Sequence, residues 1–209
     1  MCGIGGMYNT EYDEWEHNEL FLLIADRGMH ASGIAWLPRK QEGIMVTKAA
    51  RSSHYLIARG ISKYVGTNNL WVMQHARYTT QGSTKNNYNN PIEYNEIIVT
   101  HNGVLQNDYE ILNELGVTRR YEVDSEAIAA GLSLRNWRWV LRNVKGSMAI
   151  SWVDREVPEN INLMTNGGNP LYIAELVDGG YAWASLEYML DHFDAVDVYP
   201  AEIGVKYTL

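Results

Sequence analysis

The sequence predicts helices interspersed with mostly antiparallel strands, and three observations carry that reading. From Ser147 the pattern turns to short strands at 148–153, 161–165, 171–176 and 181–185, with Asp178-Gly179-Gly180 as a hairpin turn between the last two. That strand-rich second half argues against a doubly wound nucleotide-binding sheet. A Gly-rich phosphate loop is also missing: Gly3-x-Gly5-Gly6 has the wrong spacing and lies on a strand at the terminus.

In chain order, Gly3–Tyr8 reads as a short strand. Asp13 caps a helix whose apolar positions Leu20, Leu23 and Ile24 recur at helical spacing, and Arg27-Gly28 ends it. Residues 32–37 form a strand, 39–43 a turn and 44–48 the returning strand. A helix over 53–62 follows, then a strand over 70–75. Residues 76–91 are rich in Thr, Asn, Gly and Ser and read as a long loop, a feature that is usually functional or disordered. The apolar strand 97–101 stops at Asn102-Gly103, and Asn107 caps a helix that ends at Gly116. Two more helices are expected at 125–134 and 137–144.

The 209 residues fit one domain over 1–209, with no Pro/Gly/Ser linker, low-complexity run or obvious repeat. At 46% hydrophobic and 20% charged, the composition is that of an ordinary globular chain. The net charge of −8 argues against a nucleic-acid partner. No apolar run approaches a membrane span, and no basic segment leads into an apolar stretch as in a secretory signal. A single cysteine leaves no internal disulfide. Together these point to a cytoplasmic setting without membrane attachment. Arg135, Arg138 and Arg142 are spaced to share a helix face, either a solvated one or a docking patch.

That cysteine is Cys2. Removal of Met1 would leave a thiol and a free α-amine on one residue, a nucleophile together with its own base. A thiol ordinarily titrates near about 8.5 and an α-amine near about 7.7–8, so the two can exchange a proton at little cost near neutral pH. The competing reading is a small buried hydrophobe.

Four further segments place polar residues at the ends of apolar strands. They are Arg27-Gly28-Met29-His30-Ala31-Ser32-Gly33, His75-Ala76-Arg77-Tyr78-Thr79-Thr80-Gln81-Gly82, His101-Asn102-Gly103-Val104-Leu105-Gln106-Asn107, and Val123-Asp124-Ser125-Glu126. Each has a bland reading. Asn-Gly is a common turn, Asp124 could be a helix cap, Arg77 a surface charge, and His75 and His101 structural residues on apolar strands.

The order of these segments behind Cys2-Gly3-Ile4-x-Gly6 resembles the class II glutamine amidotransferase domain, the N-terminal-cysteine glutaminase of glucosamine-phosphate synthase and amidophosphoribosyltransferase. Asn166-Gly167-Gly168-Asn169-Pro170-Leu171 and Ala184-Ser185 are similar to later segments of that family. The resemblance implies an α+β fold, the four-layer αββα sandwich of N-terminal nucleophile hydrolases. It implies Cys2 as nucleophile, and Asn102 with the Gly103 N–H as oxyanion hole. Arg77 would bind the α-carboxylate of glutamine, and Asp124 with the Gly103 backbone its α-ammonium. Tyr78 and Thr80 complete the substrate-binding set. Tyr78 stands where the family usually has Trp, and His30 where it usually has Asp or Glu. Neither metal nor organic cofactor is implied. The expected reaction hydrolyses the side-chain amide of L-glutamine and releases ammonia. No acceptor domain is recognised, so a separate synthase is the expected partner. The alternatives are an N-terminal-cysteine hydrolase of another γ-glutamyl or acyl amide, and a non-catalytic glutamine-binding module.

Overall fold

A computed structural model describes residues 1–79, 82–83, 85 and 88–209, without the side chains of Ser62 and Tyr64. The chain begins with β1 (Gly3–Tyr8), α1 (Glu14–Ala25), β2 (Ala31–Pro38), β3 (Met45–Ala49), α2 (Ser53–Ala58) and α3 (Ile61–Val65). Next come β4 (Asn69–Arg77), β5 (Ile92–Tyr94), β6 (Ile97–Leu105), α4 (Asp108–Glu114), α5 (Ser125–Leu134) and α6 (Trp137–Asn143). The last strands are β7 (Gly146–Asp154), β8 (Ile161–Thr165), β9 (Tyr172–Leu176), β10 (Tyr181–Ala184), β11 (Ala195–Pro200) and β12 (Lys206–Thr208).

Two antiparallel sheets result, ordered β11-β9-β10-β1-β4-β2-β3 and β12-β8-β7-β6-β5. Period-2 alternation lets each central strand serve two cores. On β4, Trp71 and Met73 face the layer between the sheets, while Val72 and Ala76 face the helices outside. On β6, Ile98 joins the middle layer, while Ile97 and Val99 pack toward α4–α6. Helices α1–α3 cover the seven-stranded sheet and α4–α6 the five-stranded one. The architecture is therefore the expected α-β-β-α sandwich.

Local chemistry explains α1 well. Asp13 Oδ1 accepts the Glu16 N–H at 2.8 Å, and Glu16 Oε2 accepts the Asp13 N–H at 2.9 Å, a complete capping box. Its last turn lies on the start of β1, where a side chain on Gly3 would collide with the Ile24 backbone.

Several expected boundaries shift. The helix expected over 53–62 divides into α2 and α3 at Gly60, whose φ of +74° breaks the helical path. The strand expected to stop at Asn102-Gly103 continues to Leu105, because Asn102 and Gly103 pair with Ala149 and Met148 of β7. Asn107 precedes α4 without capping it by side chain; its Oδ1 accepts the Lys145 N–H at 2.8 Å instead. Arg135 is the C-cap of α5, so it does not share one helix with Arg138 and Arg142 of α6.

His17, on the buried face of α1, has its pKa pushed down to about 4 by burial, against an ordinary 6.5. Between those values the unfolded chain binds the proton that the folded chain refuses. Stability is therefore intact above about pH 6.5 and declines as pH falls toward about 4, by roughly 1.4 kcal/mol per pH unit for this group. Urea midpoints should be lower at pH 5 than at pH 7, and His17→Phe should reduce that difference. An equal pH dependence in both proteins would remove His17 as its cause.

Candidate active site

The β1–β4 register builds the site. Gly3 pairs with Ala76, so Cys2 at the head of β1 lies opposite Arg77 at the end of β4. The Cys2 thiol contacts the Tyr78 carbonyl, with Sγ 3.6 Å from the oxygen. Strand β6 of the other sheet faces β1 and β4, and α5 packs on β6 and brings its cap residue Asp124. Cys2, Arg77, Tyr78, Gly103 and Asp124 thus line one cavity, together with Asn90, His101, Val123 and Ser125. Its volume is about 20 Å³. That is room for about one water among the described residues. Of the remaining expected residues, Thr80 lies outside the described residues. Asn102 is buried on β6 beside the cavity rather than in its lining.

Each group departs from its bland reading in a specific way. Asp124 occupies the N-cap position of α5 but makes no side-chain cap bond; its Oδ2 accepts the Leu105 N–H at 2.8 Å. Arg77 is buried, and its Nη1 donates to Ser83 O at 2.8 Å, Tyr88 O at 3.2 Å and Asn89 Oδ1 at 2.6 Å. Asn102-Gly103 is continuous strand, not a turn, and a side chain on Gly103 would collide with the Ser147 carbonyl. Backbone can therefore approach closely there. Tyr78 is half-exposed, its ring 4.7 Å from that of His30. His30 also accepts the Thr79 N–H through Nδ1 at 2.9 Å and donates its backbone N–H to Arg77 O at 3.0 Å. The turn after α1 is thereby clipped to the end of β4.

Residues 75–192, more than half of the chain, match the family described as glutamine amidotransferase domain. The chain belongs to that family. Among curated relatives, 7-cyano-7-deazaguanine synthase 2 of Sulfurisphaera tokodaii is 27% identical, over 93% of this chain and 45% of the relative. Glutamine–fructose-6-phosphate aminotransferase of Rhizobium meliloti is 25% identical over 80% of this chain and 29% of the relative. The chain spans less than half the length of these relatives. Among solved structures, the glutamine phosphoribosylpyrophosphate amidotransferase of B. subtilis superposes with a TM-score of 0.81 at 21% identity. That match covers 99% of this chain and 47% of the other. The domain is thus a class II glutamine amidotransferase domain with the N-terminal nucleophile hydrolase fold.

The electrostatics of the cavity set the demands on any chemistry at Cys2. Burial pushes the Cys2 thiol pKa up, and the Asp124 charge adds to that; the chain's terminal amine and Arg77 oppose it. A thiol held protonated needs a base beside it before it can attack. Met1 is exposed, with its Sδ 3.5 Å from Arg27 Nη2, so its removal disturbs little packing. Burial lowers the Arg77 pKa, opposed by Cys2 and Asp124, yet a guanidinium stays charged. His75 is pushed down to about 3 by burial, and its Nε2 lies 3.1 Å from His101 O. His101 is lowered by burial too, opposed by Asp124, and bridges Ser125 Oγ at 3.2 Å and Ser147 O at 3.4 Å. His75 is a neutral strut between the sheets, whereas His101 ties β6 to α5 and β7 on its own side.

Arg27 stands in one of the motif segments, yet its residue type assigns it no role there. The structure gives it a contact: its Nε donates to the Cys2 carbonyl at 2.8 Å, fixing the residue expected to be the nucleophile. Asn90 escapes sequence reasoning, and Ser125 stands in a motif segment without an assigned role; Asn90 Nδ2 donates to Ser125 Oγ at 3.3 Å on the cavity wall. The sequence signal for Asn90 is its place in the loop expected over 76–91.

Proposed function

We propose that the domain hydrolyses the side-chain amide of L-glutamine through a thioester on Cys2. What supports this reading is the meeting, in one cavity, of a cysteine at the chain head with a buried arginine and a buried aspartate. Arg77 suits the α-carboxylate, which a guanidinium grips with parallel hydrogen bonds, and Asp124 suits the α-ammonium. With Met1 removed, the Cys2 amine takes the thiol proton and the sulfur attacks the amide carbon. The oxygen takes the negative charge, facing Asn102 and the Gly103 N–H. The resulting ammonium on Cys2 then protonates the leaving nitrogen, which departs as ammonia. Water cleaves the thioester, returning the thiol and releasing glutamate. Tyr78 and Thr80 complete the walls of the substrate site.

The ammonia has an acceptor in this reading. The relatives that name a synthase or an aminotransferase are more than twice as long as the stretch matched here, and aminated products need nitrogen. A synthase domain or partner protein is the acceptor we favour, in a cytoplasmic setting. Among the described residues no helix is long and apolar enough to cross a membrane.

The test is turnover of L-glutamine compared with a simple acyl amide lacking both α-charges. Glutamine should be strongly preferred. Arg77→Ala and Asp124→Asn should each raise KM by about 10- to 100-fold with a smaller loss of kcat, since a hydrogen bond to a charged group is worth about 1.5–3 kcal/mol. Equal turnover of both amides would instead favour the N-terminal-cysteine acylase reading. Glutamine binding without turnover would favour the non-catalytic module.

A further inference from the structure

Ser185, directly after β10, is fully buried and stands between the nucleophile strand and the strand that carries Asn102. Its N–H donates to Ile4 O at 3.0 Å, and its Oγ accepts the Ile4 N–H at 3.0 Å. Ile4 is two residues from Cys2. Across the gap between the sheets, Asn102 Nδ2 lies 3.4 Å from the same Oγ. Asn102 Oδ1 is buried and, among the described residues, has no hydrogen-bond partner. The backbone carbonyl of Asn102 is held separately, by Asn169 Nδ2 at 3.1 Å.

The hydroxyl decides which way the amide faces. Having accepted one N–H, Ser185 Oγ still has its own proton to give. In the structure that proton goes to Ile4 O at 3.4 Å, a long second bond to a carbonyl that also takes the Ser185 N–H at 3.0 Å. A half-turn of the Asn102 amide exchanges its oxygen and nitrogen, which are nearly equal in size. Oδ1, which had no partner among the described residues, then accepts the Ser185 proton; this replaces the 3.4 Å bond from Nδ2 to the same Oγ and gives up the 3.4 Å bond from Oγ to Ile4 O. Nδ2 becomes a buried donor without a protein acceptor, the state an oxyanion donor needs before substrate arrives.

We propose that Ser185 is a positioning residue that holds Asn102 Oδ1 and so turns Nδ2 toward the substrate oxygen as it gains charge. This rests on the reading of Asn102 as an oxyanion donor. It also gives a task to the Asn166–Leu171 and Ala184-Ser185 segments: Asn169 fixes the backbone of Asn102 and Ser185 its side chain.

The experiment compares glutamine hydrolysis by the full chain, with Met1 removed, for Asn102→Ala, Ser185→Ala and the double variant. Ser185→Ala should lower kcat by about 10- to 100-fold, short of the loss from Asn102→Ala, with KM within about twofold of wild type. The double variant should be no slower than Asn102→Ala alone, since the hydroxyl acts only through the amide. Ser185→Cys keeps the size and weakens the donor; it should also lose kcat, and it carries the comparison if Ser185→Ala does not fold. Wild-type kcat in folded Ser185 variants, with Asn102→Ala slow, would overturn the inference and leave the site reading standing. So would losses that multiply in the double variant, the mark of a merely structural role. Wild-type kcat in Asn102→Ala would overturn the site reading and the inference together.

Discussion

Cys2→Ala should abolish glutamine hydrolysis while leaving the melting temperature close to that of wild type. In the proposed mechanism Cys2 supplies the attacking sulfur and, once Met1 is gone, its α-amine is the base that activates it; alanine keeps the amine but removes the nucleophile, without which no thioester forms. The fold asks little of its side chain: the sulfur makes a long contact to Tyr78 O at 3.6 Å, and the ladder of β1 begins at Gly3. Cys2→Ser should retain the fold and turn over slower by orders of magnitude, because a hydroxyl ionises far less readily than a thiol. Incubation with an amide-bearing electrophile and mass measurement should show one adduct, on Cys2, in wild type and none in the alanine variant. Glutamate production by Cys2→Ala at the wild-type rate would sink the covalent mechanism.

Asn102→Ala should lower kcat by about 10²- to 10³-fold with little change in KM, the usual cost of one oxyanion donor. The ground-state amide gains little from this contact; the charged intermediate gains much. The opposite pattern is expected at Arg77 and Asp124, which hold charges that glutamine carries throughout the reaction. The contrast is diagnostic, because simple unfolding would move kcat and KM without sorting the three variants into two classes. Steady-state kinetics across a wide range of glutamine concentration checks it. A KM effect without a kcat effect at Asn102 would place that residue with the binding groups.

Much of this architecture is legible in the sequence because local signals agree with tertiary demands. Asp13 and Glu16 cap α1 as their spacing says, and Ser125–Leu134 is a helix buried along most of its length. Where local and tertiary demands conflict, the sequence misleads. Asn102-Gly103 is a turn signal by itself, but pairing to Ala149 and Met148 holds it in the sheet. Gly60 is tolerable inside a helix by propensity, but its positive φ makes a break. The short strands at 92–94, 195–200 and 206–208 leave no readable pattern: two have three residues, and β11 leaves Val196 and Asp197 exposed at a sheet edge. The motif residues are legible through their order, but the contacts that hold them are not. Arg27 on the Cys2 carbonyl and Ser185 between Ile4 and Asn102 join positions 25 and 83 residues apart.

The site belongs to neither sheet. Cys2 and Arg77 ride on one, Asn102 and Gly103 on the other, and the side chains between them, Trp71, Ile98, Leu163 and Trp183 among them, act as the gauge block that sets the gap. A variant that thins that block and still folds is expected to lose turnover through the altered spacing of the two sheets. Only the solvent-facing sides of the helices, away from Arg27, Asp124 and Ser125, are free of that constraint, and a thermostable version of this domain is best sought there while leaving the middle untouched.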